Sequence, residues 1–446
     1  MSKSSARLQT NMDENRGIKQ SFLPLLKLED WWAVWLGSFI AILAMAKMIQ
    51  NIPSISRWSV NPLAAFGLLP WELSFQLLLL GLSMALLTAV AVFATGENVK
   101  KYLAAFPLIF IFSLLAYILG NQNTFRGYGL DNVVWALIIG LVISNTVGKP
   151  AWLSKAAKTE LFIKTGLVLM GAEILFNRFL ELGVRGLGVA WLVTPIALVF
   201  MYYMGTRVFK IGSKSLVATI SAATSVCGVS AAIAAGSATR AKKEEISYAI
   251  SLSLIFTVFL MVLMPLVLKA FNVDQYVGGA LIGGTIDATG AVAVSGSMLG
   301  DTAMEVAAVI KMIQNILIGI IAFILSFIWV TRVEKDAHVP KPSALEIWRR
   351  FPKFILGFVF ASLFFSFVLI PVLGNTEVGE ILNVTRSLRG WFFTLAFVSI
   401  GLESNFAALI KLVKDKKTVG LYIVGQSFNI VLTLIAALLF FGGFSG

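Results

Sequence analysis

One carboxylate stands out because of the residues around it. Asp287 lies in the middle of residues 278–298 (GGALIGGTIDATGAVAVSGSM), a segment rich in Gly, Ala, Ser and Thr that contains no other charged residue. A charge inside a membrane is costly and is usually kept there for a function. Asp287 is therefore a candidate ligand of a coupling ion, a proton carrier or a substrate contact. The alternative is a structural carboxylate that pairs with Lys311 or Lys164.

A second segment of similar composition, residues 215–236 (SLVATISAATSVCGVSAAIAAG), places Cys227 at its centre. Small residues suit broken helices, and the N-termini of half-helices attract anions. The candidate pocket residues on the two segments, besides Asp287, are Ser225, Cys227, Gly228, Ser230, Thr285 and Thr289. The alternative is close helix packing by small residues, with the cysteine as a small core side chain.

Three polar residues share one turn of a long apolar stretch: Lys311, Gln314 and Asn315. Side chains at this spacing lie on one face of a helix, so the face is expected to meet a cavity or another helix rather than lipid. Lys164 is a further cation within an apolar segment. It is a secondary candidate for balancing a substrate charge, or it extends its amine to the nearby interface.

Several chemistries are excluded by residue counts. With one cysteine and one histidine, the latter (His338) in a charged loop, the chain offers no disulfide, metal cluster, haem ligation or Ser–His pair. We expect no catalytic residues, no metal and no cofactor. Glu173 and Glu403 lie near predicted helix ends, where we expect them to be solvated.

Composition indicates that membrane helices carry these residues. The 446 residues are 58% hydrophobic and 13% charged, and apolar runs of about 20 residues recur along the chain, as membrane crossing requires. We predict an all-α polytopic protein of the cell membrane with about 11 to 13 membrane segments. The predicted segments are 31–50, 73–95, 102–119, 132–147, 161–176, 187–204, 215–236, 248–270, 278–298, 305–330, 354–373, 390–408 and 419–442.

The polar regions complete the predicted organisation. Residues 1–30 form a cytoplasmic tail without the pattern of a cleavable signal peptide, and 31–330 form a membrane region. Residues 331–353, rich in Lys, Arg and Pro, form a cytoplasmic linker to the C-terminal helices of 354–446. The net charge of +13 is explained by orientation in the bilayer, so no nucleic acid partner is expected.

Two internal similarities indicate duplication. A shift of 60 residues sets Cys227 on Asp287, and a shift of 230 sets LVLMGAEI (167–174) on FVSIGLES (397–404). Inverted repeats are typical of secondary transporters. The two small-residue segments are then either spanning helices that unwind at their centres or re-entrant hairpins that enter from opposite sides.

The hairpin alternative fits the distribution of basic residues better. It places the basic loop 237–247 and the linker 331–353 together on the cytoplasmic side, where positive charge accumulates. An inverted repeat also brings related residues close to its two-fold axis. We therefore expect the two segments to meet near mid-membrane, with Cys227 and Asp287 facing a common cavity.

Residues 221–260 (SAATSVCGVSAAIAAGSATRAKKEEISYAISLSLIFTVFL) resemble the YeiH-like sulfate exporter family. That family carries a Cys-Gly-x-Ser-Ala stretch, here Cys227 to Ala231, followed by a Lys-Glu-Glu turn, here Lys243 to Glu245, and a long helix. The resemblance extends over residues 130–350, including Asp287 and the Val-x-Lys helix around Lys311. It implies transport of an anion, more than of sulfate in particular.

The sequence is similar, more distantly, to bile-acid–sodium symporters, which carry a Cys-Pro-Gly-Gly stretch in a broken crossing helix. Val226-Cys227-Gly228 lacks that proline, so sodium binding of that type is not implied. Ile286 stands where the exporter family commonly has a histidine, which removes a proton relay through that side chain.

Together these features predict a secondary transporter for a small anion, such as sulfate or an organic or sulfonate-type anion. Asp287 would couple transport to H⁺ or Na⁺, and the protein could form a homo-oligomer. The alternative is a membrane channel or an assembly scaffold without carrier activity. An enzyme is not expected, because an aspartyl membrane protease needs a second facing aspartate that the sequence does not offer.

Overall fold

A computed structural model describes residues 27–67, 70–127, 130–148, 150–334, 345–406 and 415–443. His338, most of the predicted tail and much of the predicted linker lie outside these ranges. The predicted domain boundaries therefore stay predictions.

The described part of the chain is helical, which confirms the predicted all-α class. Short helical turns are left unnumbered. The main helices are α1 (Glu29–Met45), α2 (Pro70–Ala94), α3 (Val99–Gly120), α4 (Asn132–Thr146), α5 (Thr159–Glu173), α6 (Phe176–Tyr203), α7 (Lys214–Ser225), α8 (Gly228–Ala238), α9 (Lys243–Ala270), α10 (Gln275–Thr285), α11 (Thr289–Leu299), α12 (Asp301–Ile328), α13 (Phe354–Phe364), α14 (Ile370–Glu403) and α15 (Lys416–Phe441).

Polar residues mark where several of these helices begin. The side chains of Asn98, Asp131, Ser213 and Asp274 accept hydrogen bonds from the first backbone N–H groups of α3, α4, α7 and α10. Such caps satisfy donors that have no partner within the helix.

Each of the thirteen predicted segments overlaps a helix or helix pair of the structure. Among the described residues, seven helical stretches are long and apolar enough to cross a membrane. The protein is thus a multi-pass membrane protein. One stretch, Phe354–Glu403, is broken at Gly374, near the start of α14, where a φ of +79° interrupts the helix. Lys164 and Phe354 meet towards one end of α5, and Arg389 approaches Met170 towards the other, so α13 and the part of α14 after Gly374 run in opposite directions.

The two small-residue segments are re-entrant hairpins. A Cβ added at Gly236 of α8 would lie 3.4 Å from Thr219 Oγ1 of α7. A Cβ at Gly278 of α10 would lie 2.4 Å from the Leu299 side chain of α11. Residues this far apart in sequence could not touch across a helix that merely unwinds at its centre. The pairs α7–α8 and α10–α11 are called hairpin 1 and hairpin 2 below.

The hairpins enter from opposite ends of the molecule. Helix α9 has 28 residues, a length of about 42 Å, and it joins the open end of hairpin 1 to the open end of hairpin 2. Helix α12 begins beside the open end of hairpin 2, where Gly279 lies against Ala303, passes both tips at Gln314, and continues towards the open end of hairpin 1. The loop 237–247 and the start of the linker therefore share one end of the molecule, as predicted from charge.

The helices divide into two groups that pack mainly among themselves. The first bundle contains α1 to α5, α13 and α14, and the hairpin bundle contains α6 to α12 and α15. Hairpin 2 connects them, because Gly290 of α11 lies against Ile163 of α5 and Ile400 of α14. A Cβ added to Gly290 would lie 3.1 Å from the Ile400 side chain and 3.3 Å from the Ile163 side chain.

Candidate functional site at the hairpin tips

The tips of the two hairpins meet through their backbones. The Gly228 N–H donates a hydrogen bond to the Asp287 carbonyl over 2.7 Å. Gly228 has to be small here, because a Cβ would lie 2.1 Å from Ser253 Oγ. The expected meeting of the two segments is therefore observed, and each helix is interrupted where they meet.

The Asp287 side chain is buried, with 1% of its surface exposed. Its Oδ2 accepts hydrogen bonds from the Tyr422 hydroxyl and, over 3.3 Å, from Ser253 Oγ. Among the described residues no salt bridge joins it to Lys311 or Lys164, so the ion-pair alternative is wrong. Two hydroxyl groups hold this carboxylate in place of a cation.

The ends of α7 and α10 expose backbone carbonyls at the tips, and α12 supplies donors for them. Lys311 Nζ donates to the Val226 carbonyl over 2.5 Å. Gln314 Nε2 lies 3.0 Å from the Ser225 carbonyl and 3.2 Å from the Gly284 carbonyl, so one amide bridges both hairpins. The polar face predicted for α12 thus meets the hairpin breaks.

Helix α15 supplies a second set of donors that the sequence reasoning missed. Gln426 Nε2 donates to the Thr285 carbonyl over 3.0 Å, and Asn429 Nδ2 lies 3.5 Å from the Thr224 carbonyl. Tyr422 belongs to the same helix. These polar residues recur every three or four positions in an apolar helix, which is the same signal that identified the stripe on α12.

A cavity of about 120 Å³ adjoins the tips. Its inner wall includes Cys227, Val229 and Ser230 of hairpin 1 and Ala288 and Thr289 of hairpin 2. Val229 and Ser230 lie in the first turn of α8 and Thr289 begins α11, and helix geometry leaves the N–H groups of a first turn without a partner in their own helix. Two helix N-termini, with their partial positive charge, therefore lie at one small cavity.

Asn315 and Lys164 complete the cavity from other helices. Asn315 Nδ2 donates to Thr289 Oγ1 over 3.0 Å, while its Oδ1 is buried with no hydrogen-bond partner among the described residues. Lys164 lies nearer the mouth, where it pairs with Asp30 at 2.7 Å and Glu160 at 3.1 Å. The amine of Lys164 therefore binds carboxylates near the N-terminal ends of α1 and α5.

The predicted site residues fall into two sets. Those on the cavity wall are Cys227, Ser230, Thr289, Asn315 and Lys164. Those behind the wall are Ser225, Gly228, Thr285, Asp287, Lys311 and Gln314. The expectation that Asp287 shares a cavity with Cys227 is wrong, because its carboxylate points towards α9 and α15, where Ser253 and Tyr422 bind it.

The opposite end of the molecule is closed by a buried ion pair. Glu173 Oε1 lies 2.8 Å from Arg389 Nε, and their side chains are 6% and 9% exposed. Glu173 is thus not the solvated carboxylate that its place at a helix end predicted, whereas Glu403 is exposed as expected. Arg389 Nη1 also contacts Met304 Sδ at 3.5 Å, which joins the first bundle to the hairpin bundle at this end.

Larger hollows, of about 690 and 580 Å³, flank α2 and are lined mostly by apolar side chains. Another of about 740 Å³ lies at the far end of α1. These hollows contain no broken helix, whereas the smaller cavity lies where two helix breaks and several buried polar side chains converge. The hairpin tips are therefore the better candidate for a binding site.

The family model for Conserved hypothetical protein 698 matches residues 104–419, which is well over half of the chain. The chain belongs to the UPF0324 family of membrane proteins. Both hairpins, α12 and all of α14 lie within the matched region. Most of α15, which carries Tyr422, Gln426 and Asn429, lies beyond it.

Individual UPF0324 members are similar over most of the chain. A UPF0324 membrane protein of Rhodopirellula baltica is 52% identical over 86% of this chain and 70% of its own length. One from Nitratidesulfovibrio vulgaris is 46% identical over 83% of this chain, which spans 65% of that relative. One from Nitrosomonas europaea is 29% identical over 86% of this chain and 90% of the relative. No solved structure shows a significant match.

Proposed function

We propose that this protein is a secondary transporter that carries a small anion across the cell membrane. The observation that supports this most is the convergence of the N-termini of α8 and α11 on one cavity of about 120 Å³. N–H groups and the helix dipole together favour a bound anion. The hydroxyl groups of Ser230 and Thr289 add donors at the same wall.

The cavity size limits the substrate to a small molecule. A water molecule takes about 30 Å³ of liquid, so the cavity suits a sulfate-sized oxyanion or a short sulfonate or carboxylate. The resemblance to the sulfate exporter family points to the same class. Asp287, buried behind the wall, is the proposed carrier of a coupling proton or ion.

Unequal closure of the two ends supports a carrier over a channel. The cavity lies near residues at one end, including Asp30 and Glu160, while Glu173, Arg389 and Met304 close the other end. Because the two bundles pack mainly among themselves, the proposed transport step is a movement of the hairpin bundle against the first bundle. Such rocking around a central site is the usual mechanism of transporters built from repeats.

The test is uptake into liposomes that contain the purified protein. Labelled sulfate and a panel of small sulfonates and carboxylates should include at least one anion whose uptake saturates and is stimulated by the same anion on the other side. The variants Ser230→Val and Thr289→Val should weaken apparent affinity about tenfold, the effect of losing a hydrogen bond of about 1.4 kcal/mol. Ser237→Val, on an exposed part of α8 away from the cavity, is the matched control.

Two other outcomes would favour the alternatives. Rapid flux without saturation or counter-stimulation would indicate a channel. A complete lack of flux for the whole panel, with the protein folded, would favour an assembly scaffold. We also propose to test for a homo-oligomer by mass measurement in detergent. In such an oligomer each chain would contain its own site.

A further inference from the structure

We infer that the ammonium group of Lys311 is a tethered cation, filling at the tip of hairpin 1 the position that a coupling sodium ion takes in transporters with broken helices. The inference rests on the proposed function and specifies how its coupling works. Lys311 is 1% exposed, and its Nζ lies 2.5 Å from the Val226 carbonyl and 2.7 Å from Gln314 Oε1. A positive charge thus sits among oxygen atoms at the end of α7.

The C-terminal end of a half-helix is a natural cation site. Its carbonyls carry partial negative charge, and unwound carbonyls at such ends coordinate Na⁺ in known transporter folds. In hairpin 1 these oxygens already have donors within the protein. Lys311 binds the Val226 carbonyl, Gln314 binds the Ser225 carbonyl, and Asn429 approaches the Thr224 carbonyl.

The corresponding end of hairpin 2 is also occupied by donors, but they are neutral. Gln314 binds the Gly284 carbonyl and Gln426 binds the Thr285 carbonyl. The cation at the tips is therefore the amine of Lys311 itself, covalently attached to α12. We infer that sodium is needed neither to order the tips nor to drive flux.

The charge of Lys311 also favours an anionic substrate. Within the described residues no carboxylate lies within 4 Å of its amine to form a salt bridge. It donates to the carbonyl of Val226, the residue before Cys227 on the cavity wall. The charge of Lys311, which no salt bridge neutralises and which interacts with the Asp287 carboxylate only at longer range, lies directly behind this wall. It attracts an anion into the cavity, because the surrounding protein screens it poorly.

The test compares flux in sodium chloride and in choline chloride, with the same salt on both sides. Wild-type flux of the transported anion should be equal in the two salts within about twofold. Lys311→Gln should lose at least tenfold in choline and recover part of that loss in sodium, which can enter the vacated position. Lys311→Arg should keep the sodium independence, and Lys269→Gln, an exposed lysine on α9, is the matched control.

A second readout does not require transport. The melting temperature of the wild type in detergent should not change when sodium chloride replaces choline chloride. The melting temperature of Lys311→Ala should be higher in sodium chloride than in choline chloride. Three results would overturn the inference. They are a sodium requirement for wild-type flux, a Lys311→Gln variant with the same flux as the wild type, and melting temperatures of Lys311→Ala and the wild type that respond to the salt in the same way. If no anion is carried by the wild type, the proposed function fails, and the melting measurements still decide whether Lys311 fills a cation site.

Discussion

The two hairpins share one architecture but differ in what covers them. From Thr289 to Gly296, every residue of α11 is buried. On α8, by contrast, Val229 is 38% and Ile233 is 47% exposed, and both lie on one face of the helix. The shift of 60 residues that relates the hairpins places Val229 on Thr289 and Ile233 on Ala293. Equivalent faces are thus packed in hairpin 2 and open in hairpin 1.

The first bundle accounts for this difference. Gly290 of hairpin 2 lies against Ile163 and Ile400, whereas its counterpart Ser230 faces the cavity. A repeat can thus be similar in sequence and fold while only one copy is packed against the neighbouring bundle.

Replacing the charged carboxylate at the tip of hairpin 2 should reduce flux most strongly. Asp287→Asn should fold normally, because the amide keeps the size of the side chain and its oxygen still accepts from Tyr422. With no salt bridge to break, the cost of about 3–5 kcal/mol for orphaning a buried partner does not apply. Flux should fall by at least roughly 100-fold and lose its ion dependence, as expected for a buried coupling group.

The matched change at the tip of hairpin 1 is Cys227→Ser, which should keep flux within about threefold because a hydroxyl also suits a polar cavity wall. Flux in liposomes and melting temperature in detergent are measured for both variants. Normal flux in Asp287→Asn would remove this carboxylate from the mechanism. A melting temperature far below that of the parent would instead give it a structural role.

Accessibility to thiol reagents tests the open and packed faces directly. In a Cys227→Ser background, Ile233→Cys should react at least about tenfold faster than Ala293→Cys, because the latter position is buried. Lys242→Cys, in the loop 237–247, should react from the cytoplasmic side only. Labelling of position 242 from outside intact cells would contradict the predicted orientation of both hairpins.

A bulky residue at equivalent positions should act differently in the two hairpins. Gly290→Val adds volume where a Cβ would lie 3.1 Å from Ile400, and such overpacking costs about 1–3 kcal/mol. Ser230→Val adds its volume to the cavity and should leave the melting temperature unchanged. Both variants should transport poorly. Equal melting temperatures would show that the contact of hairpin 2 with the first bundle is loose.

How much of this arrangement was predictable depends on the range of the interactions. The broken segments and the stripe around Lys311 could be predicted, because small residues and helical spacing are local signals. The pair between Glu173 and Arg389 could not, since its partners are distant in sequence and a helix end suggested water. The polar positions of Tyr422 and its neighbours on α15 were visible as a stripe, but only the fold shows that they hold Asp287.

The smallest expected effect concerns the mouth of the cavity, where hairpin 1 is open. Lys164 pairs there with Asp30 and Glu160 and is partly exposed to solvent. Surface ion pairs contribute only about 0–1 kcal/mol, but Lys164 and Asp30 are 16% and 24% exposed, so Lys164→Met should lower the melting temperature. The decrease should be modest, because Asp30 keeps the backbone N–H of Lys353 as a partner. Losing a positive charge at the entrance should raise the anion concentration needed for half-maximal flux by about two- to fivefold at low salt, and less at high salt, where charges are screened. Kinetics of uptake at two ionic strengths measure this, with Lys155→Met, an exposed lysine outside the cavity lining, as the control. A loss of flux as large as that of Asp287→Asn would show that Lys164 belongs to the binding site itself and not to the entrance. The comparison between the open hairpin 1 and the packed hairpin 2 would then have to include α5.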